Sequence, residues 1–330
     1  MTNRHSIIFV CHILFFCIAT LSIDLSVLVT PACSKEKIIF GGGPAGGTFQ
    51  VVANAIQTFR PIKDAAGFKV QVQLSNGSVE NLKNTDSGIF QMGIVYSGDL
   101  WQGSNGKLSN DTSIYSKVMA VAYLYSAPAQ LVVKADSGIK GVKDLEGKKV
   151  GVGNRGSGAH STCELFFTHM GLWDKIEKKN AGYNDASYGF KNNDVDAFWV
   201  LSALPCPAVT LAAETREVGL VNLADDARKS DFLKEFPWFS TVTIKGGVYK
   251  GIDSDTFSFQ DSAILVASQE VSDDLIYQIL SVIYADDGLA YLAQQNENLK
   301  EMSVATGIIG IVTSLHPGAT KFWKEKGIVK

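Results

Sequence analysis

Twice in this chain of 330 residues a short apolar run ends in a glycine-rich turn that opens a helix. The first case is IIFGGGPAGGTFQ, residues 38–50; the second is KVGVGNRGSGAHSTC, residues 149–163. A strand that feeds a helix through a tight turn is the building unit of a parallel α/β layer. It also leaves unpaired helix N–H groups, and roughly half a positive charge, at the carboxyl edge of a sheet. Open α/β sheets bind their ligands at that edge. Two such edges, one from each half of the chain, predict a cleft with an anion-binding turn on either side.

The flanking pattern agrees. TFQVVANAIQTF sets Phe49, Val52, Ala53, Ile56 and Phe59 on one helical face. FKVQVQLS alternates as a strand, GSVENLKNTDSG starts a short helix, and FQMGIVYS and VMAVAYLY read as two more strands. QLVV then begins a second unit, which passes through a polar connector to the second turn and a helix closed by Gly171. DAFWVLS and VGLVNL read as further strands, and FSTVTIKGGVYKG and DSAILVAS come next. SDDLIYQILSVIYAD predicts an amphipathic helix with Ser272 as N-cap and Leu275, Ile276, Ile279 and Ile283 inward. The fold class is therefore α/β, with mostly parallel sheets flanked by helices.

Gly41, Gly43 and Gly46 also have the G-x-G-x-x-G spacing of a dinucleotide turn. That chemistry needs an acidic residue at the end of the second strand, to hold the ribose hydroxyls. Here KVQVQL ends in SNGS, and Asp64 stands before the strand instead. A flavin- or nicotinamide-dependent oxidoreductase is thus the remote alternative, and no cofactor is expected. Glycines that serve only helix–strand packing are a second alternative. The favoured reading is anion capture, because glycine lets a ligand approach helix-start amides closely.

The amino terminus differs from the rest. MTNRH carries Arg4 and His5, SIIFVCHILFFCIATLS is apolar, and TPAC ends the stretch with small residues. This predicts an export signal over 1–32, cleaved after Ala32, with a membrane anchor as the competing reading. Cys33 would then lead the mature chain and could carry a lipid. Cys163 and Cys206 are the two cysteines of the mature body, read either as a disulfide or as two buried thiols. With 30 basic against 33 acidic residues, the net charge of −3 offers no broad basic face for nucleic acid.

GGGPAGGTFQ, SNGSVENLKNTDSGIFQMGIVYSGDLW, KADSGIKGVKDLEGKKVGVGNRGSGAHST, VDAFWVLSALPCPAV and LHPGATKFWKEKGI follow one another in order. Together they resemble the TAXI solute receptors of TRAP transporters, across nearly all the mature chain. The resemblance implies a type II-like periplasmic binding protein, with two α/β lobes joined by crossing strands and a cleft between them. Lobe one would span 33–130 plus 265–330, and lobe two 131–264. It also implies glutamate, 2-oxoglutarate or a similar carboxylate as solute, a TRAP-type membrane permease as partner, and a periplasmic location. A ligand-sensing subunit of a signalling receptor is the alternative within the same fold.

On this basis Gly46, Gly47 and Thr48 are expected to hold one end of the anion. Ser78 and Asn81 add donors from the next helix start, and Tyr96 and Ser97 line the same wall. From the second turn Ser157, Gly158 and Ala159 present amides and a hydroxyl. Arg155 is the one cation in either turn and is read as a carboxylate partner or a solvated loop charge. Trp199 is read as a stacking wall or a core aromatic. No enzyme is expected. His160 and Glu164 lack an H-E-x-x-H context, Ser157 lacks a nucleophile elbow, and no cysteine or histidine set has metal-ligand spacing.

Overall fold

The computed structural model describes residues 35–44, 47–65, 67–109 and 111–330. The predicted export signal, its cleavage point, Cys33 and Gly46 lie outside the described residues. Ten strands follow in chain order: β1 Glu36–Gly41, β2 Phe68–Gln73, β3 Met92–Tyr96, β4 Val118–Lys134, β5 Lys149–Gly151, β6 Glu177–Lys179, β7 Ala197–Leu201, β8 Val218–Leu220, β9 Ser240–Ile244 and β10 Thr256–Ser268. The helices of the first part are α1 Thr48–Thr58, α2 Arg60–Lys63, α3 Ser78–Asp86 and α4 Ser97–Ser104. The middle carries α5 Gly158–His169, α6 Tyr183–Lys191, α7 Pro207–Thr215, α8 Ala224–Lys229 and α9 Phe232–Glu235. The last are α10 Asp273–Ile283, α11 Asp286–Gln295 and α12 Pro317–Glu325.

The sheet is mixed, in the order β2-β1-β3-β10-β4-β7-β5-β6. Both predicted strand–turn–helix units are in its parallel parts: β1 pairs parallel with β2 and β3, and β5 with β6 and β7. The antiparallel part is the centre, where β10 runs against both β3 and β4, and β4 against β7. The expectation of mostly parallel sheets is corrected there.

A second correction concerns VMAVAYLY and QLVV, which form one strand of 17 residues rather than two. Residues 118–128 of β4 pair with β10, and residues 129–134 pair with β7 and β8. Pro128, which has no N–H, stands at the changeover between partners, where neither ladder's interior needs its amide. β4 thus belongs to two sub-sheets, and β10 beside it reaches from β3 at one end to β9 at the other.

Each helix buries the face its sequence period supplies. α1 turns Phe49, Val52, Ala53, Ala55 and Ile56 into the core. α10 turns in Leu275, Ile276, Ile279, Leu280 and Ile283, and Ser272 caps it by accepting from Leu275 N at 3.3 Å. Beneath α5, Phe166 and Phe167 pack with Trp199, Phe232 and Phe259. Cys163 and Cys206 are both free and buried, so the two-thiol alternative holds.

Candidate functional site

Three helix starts meet between the two sub-sheets: α1 and α3 from the first, α5 from the second. They line a half-open cavity of about 50 Å³, walled by Gly47, Thr48, Ser78, Ser157, Gly158 and Ala159 among others. Each turn is shaped by its own side chains. In the first, Gln50 Oε1 accepts from Gly43 N at 3.1 Å, and Asn81 Nδ2 donates to Gly42 O at 2.7 Å and Ile94 O at 2.8 Å. A Cβ on Gly42 would stand 2.2 Å from Gln50 Oε1, and one on Gly41 2.6 Å from Asn81 Oδ1. Those two glycines therefore serve close packing, while Gly47 and Thr48 reach the cavity.

In the second turn Ser157 caps α5. Its Oγ accepts from His160 N at 3.1 Å and donates to Asn154 O at 2.7 Å. Gly153 and Gly156 adopt φ of +87° and +82°, so the chain reverses around Arg155. The reversal sends Arg155 outward, to a groove of about 880 Å³ that it lines with Lys83, Glu80 and His160. Arg155 thus lies in the neighbouring groove and not on the cavity wall, the placement of its solvated-loop reading.

Three other expected residues also stand apart from the cavity. Asn81 is fully buried and braces the first turn from behind. Ser97 Oγ donates to Gly310 O. Trp199 is fully buried against Phe166 and Phe167, at ring-centroid distances of 6.0 and 5.5 Å, and is a core aromatic. Ser78 and Tyr96 do reach the wall, and Ser78 Oγ also accepts from Tyr96 N at 2.8 Å.

Two wall residues had no signal in the sequence: Tyr125, at the end of an apolar run that reads as core, and Tyr183, at an unremarkable helix start. Tyr96 Oη and Tyr183 Oη both donate to Leu201 O. Tyr125 Oη is buried and has no hydrogen-bond partner. Burial pushes all three phenols up, so they are neutral donors at any ordinary pH.

The walls also touch directly. Tyr96 Oη reaches Leu201 O at 2.9 Å, and Glu80 N donates to Gly156 O at 3.2 Å. Gly158 lies so close to the Tyr96 ring that a Cβ would stand 2.2 Å from it, and 3.0 Å from Asp99 Oδ2. Asp99 is buried behind Ser78 and Gly158. Desolvation pushes its carboxyl up to about 6, and the Ser161 and Ser78 hydroxyls offset part of that rise. Asp261 is pushed up as well, by burial and then by Asp99, although Gly98 N and Ser262 N donate to it.

Among the described residues no group of three or more His, Cys, Asp or Glu is placed to hold a metal ion. The cavity instead offers amides, hydroxyls and phenols, a set suited to an oxygen-rich anion.

A family model described as the NMT1-like family matches residues 40–327. Among solved structures, a protein of Bordetella bronchiseptica RB50 superposes with a TM-score of 0.51 at 15% identity, over 88% of this chain and 89% of that one. The periplasmic aliphatic sulphonate binding protein SsuA from Escherichia coli gives 0.46 at 15% identity, over 89% and 84%. The alkanesulfonate-binding protein SsuA from Xanthomonas axonopodis pv. citri, bound to MOPS, gives 0.48 at 13%, over 89% and 94%. The Bordetella likeness is one of fold: an α/β chain with a mixed sheet flanked by helices.

Proposed function

We propose that this chain, which belongs to the NMT1-like family, is an extracytoplasmic receptor that closes two lobes on a small organic anion. Lobe one comprises 33–130 plus 265–330 and lobe two 131–264, behind an export signal over 1–32. The solute is a carboxylate such as glutamate or 2-oxoglutarate, and the closed receptor delivers it to a TRAP-type permease without chemical change. The observation that supports this most is the meeting of helix starts α1, α3 and α5 around one cavity whose wall holds no cation among the described residues.

Magnitudes favour a two-sided grip. Micromolar binding needs roughly 8 kcal/mol net. Each charge-assisted hydrogen bond contributes about 1.5–3 kcal/mol, against about 4–15 kcal/mol for association and ordering. A few bonds from one side leave little surplus, so the second set must come from the facing turn. The cavity's volume of about 50 Å³ is under two waters' share of liquid. A carboxylic acid therefore fits fully only if the walls part, which would break the Tyr96–Leu201 and Glu80–Gly156 contacts. Solute that bridges both turns then stabilises the closed form by differential contact.

Mass spectrometry of small molecules released on denaturing the purified protein tests the reading. A small organic acid, returned unmodified, is the expected result. A bound flavin or nicotinamide, or turnover of the acid, would sink it.

A further inference from the structure

We propose that Tyr125 selects the ligand, so that the chain prefers small 2-oxo or 2-hydroxy carboxylates over amino acids and over acids unsubstituted at the second carbon. This rests on reading the cavity as the anion site. Tyr96 and Tyr183 have both committed their protons to Leu201 O, and together they fill that carbonyl's two acceptor positions. The Tyr125 hydroxyl differs. It is fully buried in the same wall and makes no hydrogen bond of normal geometry, although the hydroxyls of Thr48 and Tyr96 stand beside it and offset part of the rise that burial gives its pKa.

A buried donor left unmet costs free energy that a ligand oxygen restores. With the acid group on the helix-start amides, an oxygen on the neighbouring carbon is the ligand atom that meets this donor. An ammonium in its place finds the opposite of what it needs. No carboxylate lines the cavity among the described residues, and the undescribed loop residues Ala45 and Gly46 carry none by sequence. The acids around the wall are set back from it: Asp99 lies behind Ser78 and Gly158, Glu80 accepts from Asn76 N and Nδ2, and the exposed Asp185 lines an adjoining recess of about 220 Å³. An amino acid would thus bury a cation without a counter-charge while leaving Tyr125 facing a donor. Sites built to bond a particular oxygen reject analogues that lack it, because the site's own polar group stays unpaired.

Calorimetry on the purified protein with 2-oxoglutarate, glutamate and glutarate, and with pyruvate, alanine and propionate, tests the assignment. The oxo acid of the better-bound series is expected to bind about tenfold more tightly than its amino and unsubstituted counterparts. Tyr125→Phe is expected to erase the preference for the oxo over the unsubstituted acid, with affinity for the latter held within about twofold and no fall in melting temperature. An amino acid that binds more tightly than its oxo counterpart, or a Tyr125→Phe protein that keeps the preference, overturns the assignment and leaves the anion site standing. Binding of none of the six acids overturns both.

Discussion

Thr48 and Ser157 face the same cavity, but they are anchored differently. The sequence gives each a hydroxyl at a helix start; the structure adds that Ser157 also caps α5 through His160 N. Thr48→Ala is expected to raise Kd about fivefold with stability unchanged, the loss of one neutral hydrogen bond. Ser157→Ala is expected to weaken binding similarly and also to lose about 1 kcal/mol of stability through the missing cap. Unchanged affinity in both variants, measured calorimetrically, would place the site elsewhere. Trp199→Ala should instead cost about 3–5 kcal/mol in urea unfolding, as for any large core aromatic, while the folded fraction keeps its affinity. Asp99 makes a pH prediction. Its carboxyl is raised from 3.8 to about 6 in the folded chain, so the folded state holds the proton more tightly than the unfolded one. The stability this confers is full below about pH 4 and is lost as pH rises through about 6. Asp99→Asn is therefore expected to stabilise the protein at pH 7.5 by on the order of 2–3 kcal/mol, and not at pH 4. A melting-temperature gain that is equal at both pH values would refute it.

Helices were more legible than strands, and the reason is physical. The face of α10 and its Ser272 cap follow from local periodicity and a local hydrogen bond. The continuity of β4 depends on which strands lie beside it, and Pro128 between two apolar runs reads locally as a break. The helix starts were legible because strand–glycine–helix is a local pattern. The aim of a side chain leaving a turn was not: left-handed glycines at 153 and 156 turn Arg155 away from the cavity. Tyr125 was hidden for the converse reason, since a phenol in an apolar strand looks like packing until its hydroxyl is seen to lack a partner. At this scale Gly158 is the sharpest test. Its backbone suits alanine, yet a Cβ would strike the Tyr96 ring from the facing wall. Gly158→Ala is expected to fold normally and to lose tenfold or more in affinity, on the order of 1.4 kcal/mol, because the walls no longer close. Wild-type affinity in that variant would show that Tyr96 and α5 are not in contact when solute is held.

For the whole molecule, the contacts between the walls come from distant parts of the chain: α3 with the second turn, Tyr96 with Leu201, Asp99 with Ser161. Each is lost if the sub-sheets separate. What joins the sub-sheets is the β4–β10 pair, two adjacent antiparallel strands with no loop inserted between the halves. A two-stranded ribbon resists stretching and shear but yields to bending and twist. The arrangement therefore leaves bending and twisting of that ribbon as the motions of one half against the other. In the proposed receptor, a solute that bridges the cavity would be read at a distance through that bend and twist, by a surface that never touches it.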